Sequence, residues 1–103
     1  MQLYLDDIRP TPDGWQRAHS VNEAISMVEA SDAWDAVSLD HDLGDFAGDG
    51  GDAVRFVDWM VANGRFPNVV HIHTSNPVGR DNMRRTLMRH GYRGSGTRLV
   101  RET

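Results

Sequence analysis

"SLDHDLG" (Ser38–Gly44) sets three ionisable side chains in a row, Asp40, His41 and Asp42, directly after the apolar run within "AWDAVSL" (33–39). Two carboxylates flanking an imidazole are costly to bury. A core strand that ends on them is therefore leaving the core for something that compensates the charge. The same pattern recurs twice. "LYL" (3–5) ends on Asp6-Asp7, and "VVHIHT" (69–74) runs into the polar "HTSN" (73–76). Asp and Asn capping turns would account for one such end, but not for three. In an open parallel sheet, ligands bind beyond the carboxyl ends of the strands. The three clusters are thus expected to converge on one pocket.

The segments between these ends read as helices. Ser20 and Glu23 have the spacing of a capping box, followed by an apolar face of Val21, Ala24, Ile25 and Val28. Ala53, Phe56, Val57 and Met60 form a second face, with Gly64 as its C-cap. Asn76 and Pro77 open a third helix as N-cap and first residue, and it runs to about Arg89 near Gly91. "IRPTPDG" (8–14) and "GDFAGDGG" (44–51) are loops, "WQRAH" (15–19) an edge strand, and "TRLV" (97–100) a short last strand. Alternating strands and helices imply an α/β fold with a mostly parallel sheet of four to five strands in one domain, residues 1–103. The link between the first two strands is too short and too proline-rich for the usual crossover helix, so that helix is expected to be missing and the second strand's direction is open.

Composition narrows the function. A net charge of -4 argues against generic duplex-DNA binding. The start "MQLYLDD" meets acids too early for a secretory signal, and no apolar run is long enough to span a bilayer. With no Cys, disulfides and thiolate metal sites are excluded and a cytoplasmic location is expected. All eleven basic residues are Arg. Asp6, Asp7 and Asp40 suit a hard divalent cation, Mg²⁺ first, which takes carboxylate oxygens and keeps waters for a phosphate. His41, His71 and His73 raise Mn²⁺ or Zn²⁺ as the alternative. His71 is expected to be a core histidine, whereas His41 and His73 stand at strand ends, where a catalytic or ligand role is in balance with a structural one. Arg9, close after the acidic pair, and Arg80, in the first turn of the third helix, can fork onto a phosphate. Arg84, Arg85 and Arg89 read as a solvated face. Trp15 is expected to pack as core or lid, with stacking on a base the less favoured role.

"LDDIRP" (5–10), "SLDHDLG" (38–44) and "HTSNPVG" (73–79) together resemble, in order and spacing, the motifs of the cyclic-phosphate processing receiver domain family. That family is a relative of response-regulator receiver domains. The resemblance spans Leu3 to about Met88 and implies a receiver-like, flavodoxin-like fold. It also implies binding or processing of a small phosphorylated ligand such as a cyclic nucleotide or an RNA end. The acidic pair, the Asp at position 40, and Thr74 or Ser75 match the receiver pocket. The Lys of signalling receivers has no counterpart; Arg98 lies near its place but is not equivalent. The stretch after Arg89 is also short for a last signalling helix. A metal-dependent hydrolysis is one reading. In it Asp6, Asp7 and Asp40 hold the cation, Asp40 alternatively acts as nucleophile, and His73 or His41 protonates the leaving alkoxide. Thr74, Ser75, Asn76, Arg9 and Arg80 would then hold phosphate oxygens. The competing readings are a binding module without chemistry and a degenerate receiver acting through protein contacts.

Overall fold

The computed structural model describes residues 1–102. Each expected element forms. β1 (Gln2–Leu5), β2 (Gln16–Ala18), β3 (Ala36–Leu39) and β4 (Val69–Ile72) are the short apolar runs. α1 (Val21–Glu29), α2 (Ala53–Asn63) and α3 (Pro77–Arg89) are the periodic segments between them. The caps act as the sequence implied. Ser20 Oγ accepts from the Glu23 amide at 3.1 Å, and the Glu23 carboxylate reaches back to the His19 amide at 3.1 Å, one residue beyond the usual capping-box partner. Asn76 Oδ1 accepts from the Gly79 amide at 3.0 Å. Gly64 ends α2 in the left-handed region.

The sheet has six strands rather than four or five. A hairpin of β5 (Tyr92–Arg93) and β6 (Arg98–Arg101) ends the described chain, and the order is β2-β1-β3-β4-β6-β5. β2, β1, β3 and β4 are parallel, which resolves the direction of β2, and no helix intervenes between β1 and β2. The last two strands run antiparallel to their neighbours. A two-residue strand such as β5 has no periodicity of its own, and it exists only by pairing with β6. "GDFAGDGG" is not a simple loop either, because a 3₁₀ turn spans Gly44–Gly48.

The three helices all cover one face of the sheet. α1 packs on α2 and α2 on α3, and their apolar stripes share a single core with Leu3, Leu5, Val37, Leu39, Val70 and Ile72. Burying one such side chain contributes about 1.5–3 kcal/mol. Side chains alternate along a strand, so the intervening residues Tyr4, Ser38 and His71 point to the opposite face. Strand register makes them one continuous row, Arg17–Tyr4–Ser38–His71–Arg98, across five strands. With the first crossover helix missing, no helix among the described residues covers that row. No described helix is long and apolar enough to cross a membrane.

Candidate functional site

The order reverses direction between β1 and β3, the point at which an open α/β sheet leaves a crevice beyond its carboxyl edge. Asp6 and Asp40 are the first residues past β1 and β3, and His73 is the first past β4. Each is held by an extension of the sheet ladder. The Asp6 amide donates to Ala18, the Asp40 amide to Leu5 and the His73 amide to Leu39, at 3.1, 3.0 and 2.9 Å. The period of two then aims all three side chains to the side of Tyr4, Ser38 and His71.

Ligating atoms of Asp6, Asp40 and His73 lie within 4.8 Å of one another. Asp6 is fully buried. Its Oδ1 accepts from the Ile8 and Arg9 amides at 2.9 and 3.0 Å, and its Oδ2 meets His73 Nε2 at 2.8 Å. Burial pushes the Asp6 carboxyl up, but these amide and imidazole partners outweigh it and hold it below the usual range. Asp40 behaves oppositely. Burial and the neighbouring Asp6 charge push its carboxyl up, against the Thr74 hydroxyl and His73, which favour the ionised form. His73 is fixed from both sides. Its Nδ1 lies 2.6 Å from Ser38 Oγ, and its ring stacks on Tyr4 at 4.6 Å between centroids. Its carbonyl accepts from the Arg9 guanidinium, which ties the loop after β1 to the end of β4. Two carboxylates and an imidazole, one carboxyl raised above its usual range by burial and the other's charge, make a donor set that fits a divalent cation.

The other expected residues sort around this trio. Asp7 stands outside it. Its carboxylate lies over Gly44, where an added Cβ would come within 2.5 Å of Asp7 Oδ2. His41 forms a second group with Asp42 and Asp52. His41 Nδ1 is 2.9 Å from Asp42 Oδ1, and the Asn76 amide nitrogen is 3.3 Å from Asp42 Oδ2. The His41 hydrogen bond outweighs the opposing effect of burial and, helped by Asn76, keeps the Asp42 carboxyl below its usual range. The His41 ring rests on Gly79 in the first turn of α3, so closely that a Cβ there would overlap it. Thr74 is buried and accepts from the Asn76 amide at 3.1 Å, while Ser75 is exposed. Arg80 is half-buried, and no described residue forms an ion pair or side-chain hydrogen bond with it.

Two expectations, for His71 and Arg84, are corrected. His71 is not a core histidine; it is half-buried and lines a cavity of about 320 Å³ on the uncovered face. Burial keeps its imidazole below the usual histidine range. Trp15 lines the same cavity, whereas Trp34 and Trp59 pack against the core. Arg84 does not simply face solvent; it fastens the terminal hairpin by donating to the Gly96 and Gly94 carbonyls at 2.7 and 3.2 Å. Sequence reading also passed over Tyr4, Ser38, Asp52 and Gly79. The first two carried a usable signal, since each stands two residues before a site aspartate on its strand. Asp52 and Gly79 become neighbours of His41 only through the packing of α2 and α3.

Comparison with curated proteins and with solved structures finds no match for this chain. A family model described as "Cyclic-phosphate processing Receiver domain" matches residues 1–89. That span holds the Asp6–Asp40–His73 trio, the His41 group and the N-terminus of α3, and leaves out the β5–β6 hairpin. The chain belongs to the cyclic-phosphate processing receiver domain family.

Proposed function

We propose that the protein is a metal-dependent phosphoesterase that opens a cyclic phosphodiester. The observation that carries this reading is the meeting of Asp6, Asp40 and His73 within 4.8 Å at the switch point of the sheet. These three residues would hold the cation, with Asp7 outside the group. When bound, a divalent cation polarises a phosphoryl oxygen and favours attack by water.

The remaining chemistry falls to the chain's own groups. An ionised Asp42 fixes His41 with Nδ1–H as donor and leaves Nε2 for proton transfer, the logic by which a carboxylate orients a catalytic imidazole. His73 would ligate the cation through Nε2, with Nδ1 held by Ser38, so His41 rather than His73 is the general acid. Water adds to phosphorus and gives up a proton to solvent, one P–O ester bond breaks, and His41 protonates the departing alkoxide. Phosphate oxygens face Arg80, Ser75 and the Val78 amide at the start of α3, an end that its dipole makes favourable to anions.

Incubation with 2′,3′-cyclic and 3′,5′-cyclic nucleotides and with cyclic-phosphate RNA ends, each with Mg²⁺, Mn²⁺ or Zn²⁺, tests the reading. Turnover that chelator abolishes and His41→Ala strongly reduces is expected. Tight binding with every ligand recovered intact would replace the enzyme by a binding module. Neither binding nor turnover would leave the protein-contact reading.

A further inference from the structure

We infer that the cavity on the uncovered face is a nucleobase subsite, so that the ligand is a nucleoside phosphate rather than a bare cyclic phosphate. This rests on the phosphoesterase reading and extends it. The cavity of about 320 Å³ is bounded by Tyr4, Trp15, Ser38, His71, His73 and Thr97, among others. It shares His73 with the acidic trio, and Ser38 is hydrogen-bonded to that histidine. A ligand with its phosphate at the trio therefore has this cavity as the adjoining space.

The walls suit a flat heteroaromatic ring. The Trp15 indole lies edge-on to Tyr4 at 6.4 Å and to His71 at 6.1 Å between centroids. Tyr4 belongs to β1 and His71 to β4, with β3 between them, so Trp15 reaches across the sheet above Ser38. Its faces are not stacked on either ring. Aromatic side chains in such a position take bases by stacking, with little regard to base identity. His71 adds a polar edge. No described residue hydrogen-bonds its ring nitrogens, which are left to pair with a base edge. Thr97 lies beyond the residues matched by the family model, so part of this wall is built by the terminal hairpin.

The test compares two ligands by calorimetry, with and without Mg²⁺: a nucleoside 2′,3′-cyclic phosphate and the base-free glycerol cyclic phosphate. Stacking of this kind is worth roughly five- to a hundredfold in affinity. The nucleotide is expected to bind at least about fivefold more tightly. Trp15→Ala should erase most of that margin while leaving the base-free ligand unchanged. If Trp15→Ala lowers the melting temperature too far, Trp15→Phe and His71→Ala replace it, with a partial loss expected for each. Equal affinity for the two ligands in the wild type overturns the subsite and leaves the phosphoesterase reading standing. So does a nucleotide preference that all three variants retain. Absence of binding by both ligands overturns the reading itself and the subsite with it.

Discussion

Adding one methyl group at Gly79 should disable the protein without unfolding it. Gly79 sits in the first turn of α3 with helical backbone, so alanine strains no dihedral there. Its Cβ would occupy the space of the His41 ring, and the imidazole has to move. Two stability effects oppose each other. Alanine is favoured over glycine inside a helix by up to about 1 kcal/mol. Displacing His41 gives up its hydrogen bond to a largely exposed Asp42, a net loss of about 0.5–1.5 kcal/mol. The difference is within about 1 kcal/mol, a change in Tm of no more than about 4–8 °C for a domain of this size. Activity has no such compensation. If His41 is the general acid, moving it removes a contribution of roughly 10²–10⁴ in kcat. The assay is kcat on the best cyclic phosphate found, measured for Gly79→Ala, His41→Ala and the double variant, with thermal unfolding of each. The double variant should be no worse than His41→Ala alone, because both changes remove the same group. A Gly79→Ala protein with wild-type kcat would refute the reasoning. A double variant with additive losses would show that Gly79 acts through something other than His41.

Further outcomes follow from the paired aspartates. Asp40 has a raised folded-state pKa, so its ionised form opposes folding once the pH passes that value; in chelator at neutral pH, Asp40→Asn should melt above the wild type. Adding Mg²⁺ should reverse the order, since a cation at a hundredfold excess over Kd stabilises the wild type by about 2.7 kcal/mol and the variant by much less. Equal shifts in both proteins would remove Asp40 from the metal site. Asp6 has a depressed folded-state pKa, so its contribution is full above the unfolded value of about 3.9 and disappears as the pH falls through the lower folded value. Asp6→Asn should therefore flatten the acid limb of stability against pH below about pH 4, as read by urea unfolding. Asp6→Ala should also cost about 2–3 kcal/mol at neutral pH, by leaving the Ile8 and Arg9 amides without their acceptor. An unchanged acid limb in Asp6→Asn would contradict the assignment.

What the amino-acid order determined by itself is everything that depends on neighbours along the chain. The capping of α1 by Ser20 and of α3 by Asn76, the buried faces of the helices, and the polar punctuation after three strands are set by spacings of two to four residues. Local rules therefore sufficed to expect one shared site at the strand ends. Tertiary structure alone decided its membership. Asp6 rather than Asp7 joins Asp40 because Asp6 continues the parity of Tyr4 on the uncovered face, while the chain turns at Ile8 and Arg9 and sends Asp7 to Gly44. His73 and His41 looked alike in sequence. Sheet register locks the first between Asp6 and Ser38, and helix packing presses the second against Gly79. His71 was assigned to the core because its strand is apolar and central. It faces a cavity because all three helices lie on the other side, and which face a helix covers depends on the path of the chain in space. A period of two reveals that a strand has two faces, but contact between distant segments decides which one is left open.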